Sequence, residues 1–500
     1  MGVEISDTVL GADNVLIEKY ASDFSVPREV ARIVARRFPG YGEAQRFLFP
    51  DTSQLHEPGL MPDIGDAARQ ILGAIRKGEG ILIYTHDDVD GYASAAVMHK
   101  TLIDIARRGD TVHVYPIVRE QDGYVLNPQV LKSYYEKGAR LLLTVDFGIS
   151  NEENFRIAEQ EGLKAVICDH HETQLGWFSA PAVDPKRQDS KYPFRDLAGV
   201  GVAYKLAQFL YQQFFKITPG EFYSLKKSFF PIVGIGTLAD RVVLRDENRI
   251  FCTYGMQLMD QADDPWLVCL RQEGEVTVSR LLKEVVPALG SAAYADPRLG
   301  VDFFIEGDID RVKECYLRLR ATDQQRRAEI DALFSEVIRS AAVGPRLALA
   351  MIELSKQHYL GSIAARLRDY FKRNSIIIGI KDEKCIGELR SCDFDLYKLL
   401  SQLCRYFIDF GGHQKAAGFS MEKRHLGPFL EEFKQHLEHS APDIINGCDP
   451  VMPEPEAFLN RTDIGMLRTL MPFGEGNPAP VLIDDLGIYA VDNSLNIVER

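Results

Sequence analysis

From residue 80 onward, continuous apolar runs alternate with segments of helical periodicity, and few folds can bury such a pattern. The runs are ILIYT at 81–85, VHVYPIV at 112–118, RLLLTVDF at 140–147 and KAVICDH at 164–170, separated by SAAVMHKTLIDIARR, PQVLKSYYEKG and NFRIAEQEG. A strand that is apolar on both faces must be covered on both. The alternation therefore predicts a buried, mainly parallel sheet with right-handed helical crossovers. The polar clusters THDDVDG, DFGIS and DHHET each follow such a strand directly. In open α/β sheets the carboxyl ends of the strands form the binding crevice, so these clusters are expected to converge there.

The chain is expected to be an α/β protein in which a parallel-sheet domain is joined by a helical connector to a smaller α/β domain. Residues 1–75 read as a polar, proline-punctuated helical cap, and 76–265 as the parallel-sheet domain. Residues 266–343 form the connector. Its Arg311, Lys313, Arg318, Arg320, Arg326 and Arg327 stand among acids, as on a solvated helix face. A second α/β unit occupies 344–440, and 441–500 reads as a C-terminal tail containing PFGEGNPAP.

The net charge of −14 argues against a protein that coats nucleic acid without specificity, because such binding needs many cations to displace counterions. Any nucleic-acid contact should be local. Eight cysteines are scattered without a CxxC pair, which fits a reducing, cytoplasmic setting. No apolar run approaches the length of a membrane span, and no secretory pattern opens the chain.

Taken together, the strand-end clusters offer His86, Asp88 and Asp90, then Asp146, then Asp169, His170 and His171, with Asp240 following in GIGTLAD. Carboxylates with a few imidazoles suit Mn2+ or Mg2+ better than zinc. Two such ions about 4 Å apart would relieve the repulsion among these acids. They could also bind a phosphodiester, activate a water and stabilise the leaving oxygen. Asp87 is left over and is expected to face solvent or to orient a neighbour. Each cluster alone has a simpler explanation, since an aspartate after a strand often caps a helix. The coincidence of four clusters within one sheet is what points to chemistry.

The set HDDVDG, VDFGIS, DHH and GTLAD, in this order and spacing, resembles the signature motifs of the DHH phosphoesterase superfamily. Within it the match is to the RecJ-like single-strand-specific exonucleases, and it extends through LHEPGLMPD, DPKRQDSKYPFRDLAGVGVAYKL, ENRIFCTYG, GGH and PFGEGNPAP. The resemblance implies that Asp88, Asp90, Asp146, His170 and Asp240, with His86, hold two Mn2+ or Mg2+ ions. It makes His171 the group at the scissile phosphate, with Asp146 organising the metal pair and Asp169 fixing the histidines. By the same resemblance 76–265 is a catalytic domain and 344–440 a DHH-associated, substrate-binding domain.

In the second domain, glycines at 411–412 allow a phosphate to approach the backbone, and His413 adds a donor. The resemblance adds Arg390 and Ser391 as phosphate contacts, and Lys415 is a further candidate. The implied activity is hydrolysis of single-stranded DNA or RNA, DNA being favoured, to mononucleotides in repair, recombination or replication, with proteins of those processes as partners.

Two features depart from the family's pattern. Where an arginine-rich segment is expected between the domains, the chain reads VVPALGSAAYADPRLG, with Ala288 at the place of the first arginine. The tail is also expected to be too short for a complete oligonucleotide-binding barrel. These departures leave two rivals: an oligoribonuclease or dinucleotide phosphodiesterase with the same chemistry, and a non-catalytic replication scaffold.

Overall fold

The computed structural model describes residues 14–122, 125–149, 153–173, 178–353, 359–412, 414–439, 456–484 and 487–498. The chain forms two compact units, one of Met1–Asp323 with Glu454–Arg500 and the other of Gln324–Pro453.

The first unit is built on β1 (Gly80–Thr85), β2 (Val112–Pro116), β3 (Ala139–Val145), β4 (Lys164–Cys168) and β5 (Ala182–Val183), in the order β2-β1-β3-β4-β5. Every pairing is parallel, with Ile81 opposite both Val112 and Leu141, and Val145 opposite Cys168. The chain runs from β1 to one edge and returns past it to β3. A doubly wound sheet of this order opens its crevice between the carboxyl ends of β1 and β3. Covering one face is the helix Val89–Ala106, whose Ala93, Ala95, Ala96 and Val97 are wholly buried. Small side chains let the helices Gly199–Phe215 and Phe229–Asp240 pack closely against it, within one large core.

A second core in this unit joins the two ends of the described chain. Ile17, Tyr20, Ile33, Val34, Phe38 and Phe47 pack against Ala457, Leu467, Leu482 and Tyr489. The latter belong to a small sheet of β12 (Ala457–Phe458), β13 (Val481–Asp484), β14 (Gly487–Val491) and β15 (Ile497–Val498) and to the turn of helix before β13. Arg37 clasps the join: it bonds both oxygens of Glu456, at 2.8 and 2.6 Å, and Asn477 Oδ1 at 2.7 Å. The expected cap is therefore divided. Helices up to Leu48 need an apolar partner and find it in the C-terminal sheet, whereas Ile64, Ala67 and Ile71 of the helix Ile64–Lys77 belong to the main core. The expected tail is likewise built structure over the described residues 456–484 and 487–498.

Helices between Pro265 and Ser340 occupy the expected connector, and the boundary between the units falls inside its last helix, Ile309–Ser340. Ala288 lies 1% exposed in the main core.

The second unit holds a mixed sheet of β6 (Ala342–Val343), β7 (Leu347–Glu353), β8 (Asn374–Lys381), β9 (Lys384–Arg390), β10 (Asp409–Gly412) and β11 (Ala416–Glu422). The order is β10-β11-β9-β8-β7-β6, and only β7 and β8 run parallel. Ile363, Ala364 and Leu367 cover one face through Ile377, and Phe429 and Phe433 cover the other through Phe419. Among the described residues no helix is long and apolar enough to cross a membrane.

Candidate metal centre

Three strand ends and one helix end deliver the acids to a single place. After β1 the chain turns into the helix Val89–Ala106, and Asp88 caps it, Oδ1 accepting from the Gly91 amide at 2.9 Å. The other Asp88 oxygen meets His86 Nδ1 at 2.8 Å. Gly91 is required here, since a Cβ would stand 2.5 Å from the His86 carbonyl oxygen. Asp90, two residues on, accepts from the amides of Gly199 at 2.7 Å and Val200 at 3.0 Å, at the start of the helix Gly199–Phe215.

Beyond β3, Asp146 adopts a left-handed backbone with φ of 53°. Non-glycine residues take that conformation at a cost of about 1 kcal/mol or more, and such strain concentrates at functional sites. Beyond β4, Asp169 accepts from the amides of Ile149 (2.8 Å) and His170 (2.7 Å) and contacts His171 Nδ1 at 2.7 Å. Asp240 ends the helix Phe229–Asp240.

His170 decides what this arrangement can bind. Its Nδ1 lies 3.0 Å from the carbonyl oxygen of Leu197. A carbonyl only accepts, so Nδ1 carries the proton and Nε2 presents a bare lone pair. That lone pair faces Asp146 Oδ1 at 3.2 Å, Asp240 Oδ2 at 3.8 Å and Asp90 Oδ2 at 4.0 Å. Desolvation and the nearby His171 push His170 down to about 3, so the ring is neutral at pH 7. Among the described residues, neither Asp146 Oδ1 nor Asp240 Oδ2, both buried, has a hydrogen-bond partner.

Acceptor atoms aimed at one another across 3–4 Å are the donor set of a cation. The acids carry the same signature. Burial, then the like charges of Asp240 and Asp88, raises Asp90 well above the carboxylate range. Burial followed by Asp90, Asp88 and Asp240 does so for Asp146. Burial and Asp88 bring Asp240 to about 6.

Three groups of potential ligand atoms each fit within 4.8 Å: His86, Asp88 and Asp146; Asp90, His170 and Asp240; and Asp146, His170 and His171. Asp146 and His170 each belong to two groups. Every expected ligand thus meets at the β1–β3 crevice, and an oxygen-rich set with few imidazoles fits Mn2+ or Mg2+. His171 stands at the rim, half-exposed. Desolvation pulls its pKa down, but the contact with Asp169 outweighs this and raises it to about 9. Asp87 does not face solvent. It is 2% exposed, with Oδ1 at 3.7 Å from His86 Nε2.

Sequence reasoning assigned no role to Gly199. A Cβ there would stand 2.5 Å from Asp146 Oδ1, and one on Gly236 would stand 3.0 Å from Asp90 Oδ1. The glycine spacing in LAGVGVAYKL and GIGTLAD was the available signal.

In the second unit, Arg390 ends β9 opposite Ala416, bonded to Glu388 Oε2 at 2.9 Å and 21% exposed. Gly361 leaves room for its guanidinium, whose Nη2 would be 2.8 Å from a Cβ there. Ser391 is fully buried. Its hydroxyl donates to Asn374 at 3.0 Å and accepts from the amides of Asp393 and Phe394. The role expected for it as a direct phosphate contact therefore gives way to holding the turn after Arg390. Gly411 and Gly412 lie on β10 opposite Gly418 and Ala417, rather than in a free loop. Lys415 is exposed, and its carbonyl accepts from the Ser391 amide at 2.9 Å. His413 lies outside the described residues.

The chain thus combines a doubly wound sheet, with an acidic crevice at its switch point, and a separate mixed-sheet domain. Residues 80–237 match the DHH family, N-terminal domain, and residues 346–439 match the DHHA1 domain. The chain carries both of these domains. It is similar to the single-stranded-DNA-specific exonuclease RecJ of Bacillus subtilis, with 30% identity over 92% of this chain and 59% of that protein. It is also similar to RecJ of Dickeya dadantii, with 28% identity over 91% of this chain and 83% of the relative. The chain thus spans less than two thirds of the Bacillus relative. The crystal structure of Thermus thermophilus RecJ in complex with Mn2+ shares the fold, with a TM-score of 0.78 at 19% identity over 94% of this chain and 68% of the other.

Proposed function

We propose that the chain is a divalent-metal-dependent phosphodiesterase that acts as an exonuclease on single-stranded DNA. One observation carries the reading. Asp146 and His170, on adjacent strand ends, each belong to two potential ligand groups, and the bare Nε2 of His170 faces three carboxylates. In this reading His86, Asp88 and Asp146 would hold one Mn2+ or Mg2+ ion, and Asp90, His170 and Asp240 a second. Such a pair, when bound, supplies Lewis-acid charge to the phosphodiester and lowers the pKa of an attacking water. The names of the RecJ relatives support single-stranded DNA as substrate.

The chain's own groups divide the remaining work. His171, held protonated by Asp169, donates a hydrogen bond to the scissile phosphate and a proton toward the leaving oxygen. Asp90 serves the ligand set while its oxygens secure the start of the helix Gly199–Phe215. In the second unit Arg390, Gly411, Gly412, His413 and Lys415 take the substrate-binding role, and Ser391 supports Arg390. A cytoplasmic setting fits the seven cysteines that are free among the described residues.

The test is purified protein with Mn2+ on end-labelled single-stranded DNA, RNA and dinucleotides, with product lengths followed over time. Mononucleotides released from one end of long DNA are expected, and Asp88→Ala or His170→Ala should abolish them while the protein stays folded. Cleavage of dinucleotides alone would assign the chain to small substrates, and inertness toward all three would leave a scaffold.

A further inference from the structure

The segment PFGEGNP, residues 472–478, lies far along the chain from every candidate ligand, yet it packs on the stretch that follows one of them. Asp240 ends its helix, Arg241 reverses the chain with φ of 60°, and Val243, Leu244 and Arg245 run on from it. The Leu244 amide donates to the Glu475 carbonyl at 2.8 Å, and Arg245 Nε donates to the Gly476 carbonyl at 3.4 Å.

Both glycines are fitted to this contact. A Cβ on Gly474 would stand 2.8 Å from Leu244 Cδ1, and one on Gly476 would stand 3.2 Å from Val243 Cβ, where φ of 69° already disfavours a side chain. Leu244 is 2% exposed, so its side chain has little room to yield. The stretch is tied on its other side as well. Asn248 Nδ2 donates to the Val243 carbonyl at 3.0 Å and to the Asp196 carbonyl at 2.6 Å. Asp196 precedes Leu197, whose carbonyl orients His170, and Gly199 and Val200, whose amides hold Asp90.

The glycine loop is itself anchored. Asn477 donates to the carbonyls of Leu470 and Pro472, each at 2.7 Å, and accepts from Arg37.

We propose that the Gly474–Asn477 loop is a positioning element for the metal centre: it fixes residues 241–245 and thereby Asp240, and through Asn248 the 196–200 segment that aims His170 and Asp90. The proposal rests on the metal-site reading above. Residues that orient ligands typically change metal affinity by about 10–100-fold when altered.

The experiment is a calorimetric titration of metal-free protein with Mn2+, alongside circular dichroism to verify folding. Gly474→Ala should remain folded and bind Mn2+ at least about tenfold more weakly. The double variant Gly474→Ala with Leu244→Ala, which removes the opposing methyl groups, should recover most of that loss. A folded Gly474→Ala with Mn2+ affinity within twofold of the parent would overturn the proposal. Should Gly474→Ala fail to fold, Gly476→Ala carries the same expectation and the same overturning result. If the parent protein itself binds no Mn2+, the metal-site reading fails, and that outcome is distinct from failure of the loop's role.

Discussion

Lys205 Nζ sits 2.5 Å from Glu247 Oε1, and neither side chain is exposed at all. The carboxylate also accepts from the Tyr192 hydroxyl at 2.6 Å and the His56 amide at 3.0 Å, and the ammonium donates to the His56 carbonyl at 2.8 Å. This buried, hydrogen-bonded pair ties HEPGL, KYPF, the helix Gly199–Phe215 and ENRIF together. Breaking a buried pair on one side strands a charge and costs about 3–5 kcal/mol. Lys205→Met is therefore expected to lose that much stability in urea unfolding. Adding Glu247→Gln to it should recover part of the loss by removing the stranded charge.

His171 provides the pH dependence. Its folded pKa of about 9 stands above the ordinary 6.5, because the Asp169 contact outweighs desolvation. A raised imidazole contributes stability that is full below pH 6.5 and is lost as pH rises through about 9. Asp184, which burial raises to about 8, adds a slope of the same sign, so bulk stability alone does not isolate the histidine. Ring chemical shifts followed by NMR in metal-free protein do isolate it. The His171 midpoint is expected near 9 in the parent and clearly lower in Asp169→Asn.

Gly199→Ala tests the crevice from the side that sequence reasoning overlooked. The added methyl would overlap Asp146, whose Oδ1 and Cβ lie 2.5 and 2.8 Å from its position. Alanine suits the first turn of a helix, so the helix itself should tolerate it. Displacing a catalytic group by an ångström can cost about 100-fold in rate. We expect at least that loss of nuclease activity at saturating Mn2+, with a far-ultraviolet spectrum unchanged from the parent.

What the sequence made legible follows from how far each signal reaches. The parallel sheet and its acidic crevice could be read because each ligand sits directly after an apolar strand or at a helix end. Asp87 could not be placed the same way. Three aspartates within four positions offer no local rule for which of them turn inward. The family resemblance implied Ser391 as a phosphate contact, but Asn374 and two amides of its own turn engage its hydroxyl. Least visible was the pairing of Arg37 with Glu456 and Asn477. Two amphipathic helices announce that they need a partner, and nothing local says that it lies more than four hundred residues away.

Arg249 extends that long-range join into the parallel-sheet part of the unit, and it supports a final prediction. Its side chain is 2% exposed, and it donates to the carbonyls of Phe47 at 2.5 Å, Thr469 at 3.0 Å and Leu470 at 3.3 Å while lying 3.7 Å from the Phe47 ring centre. Burial lowers its pKa to about 9, yet at pH 7 the guanidinium remains charged. A planar fork can serve three carbonyls at once, whereas a lysine ammonium offers a single point of charge on a different stem. Arg249→Leu would leave those carbonyls without their donor, at about 1–3 kcal/mol for each buried group not rescued by water. Arg249→Lys should recover only part of this. Because the three carbonyls belong to the N-terminal helices and to the segment before β13, protease should cut both regions faster in Arg249→Leu than in the parent. Faster cutting of one region without the other would show that the two do not open as a unit.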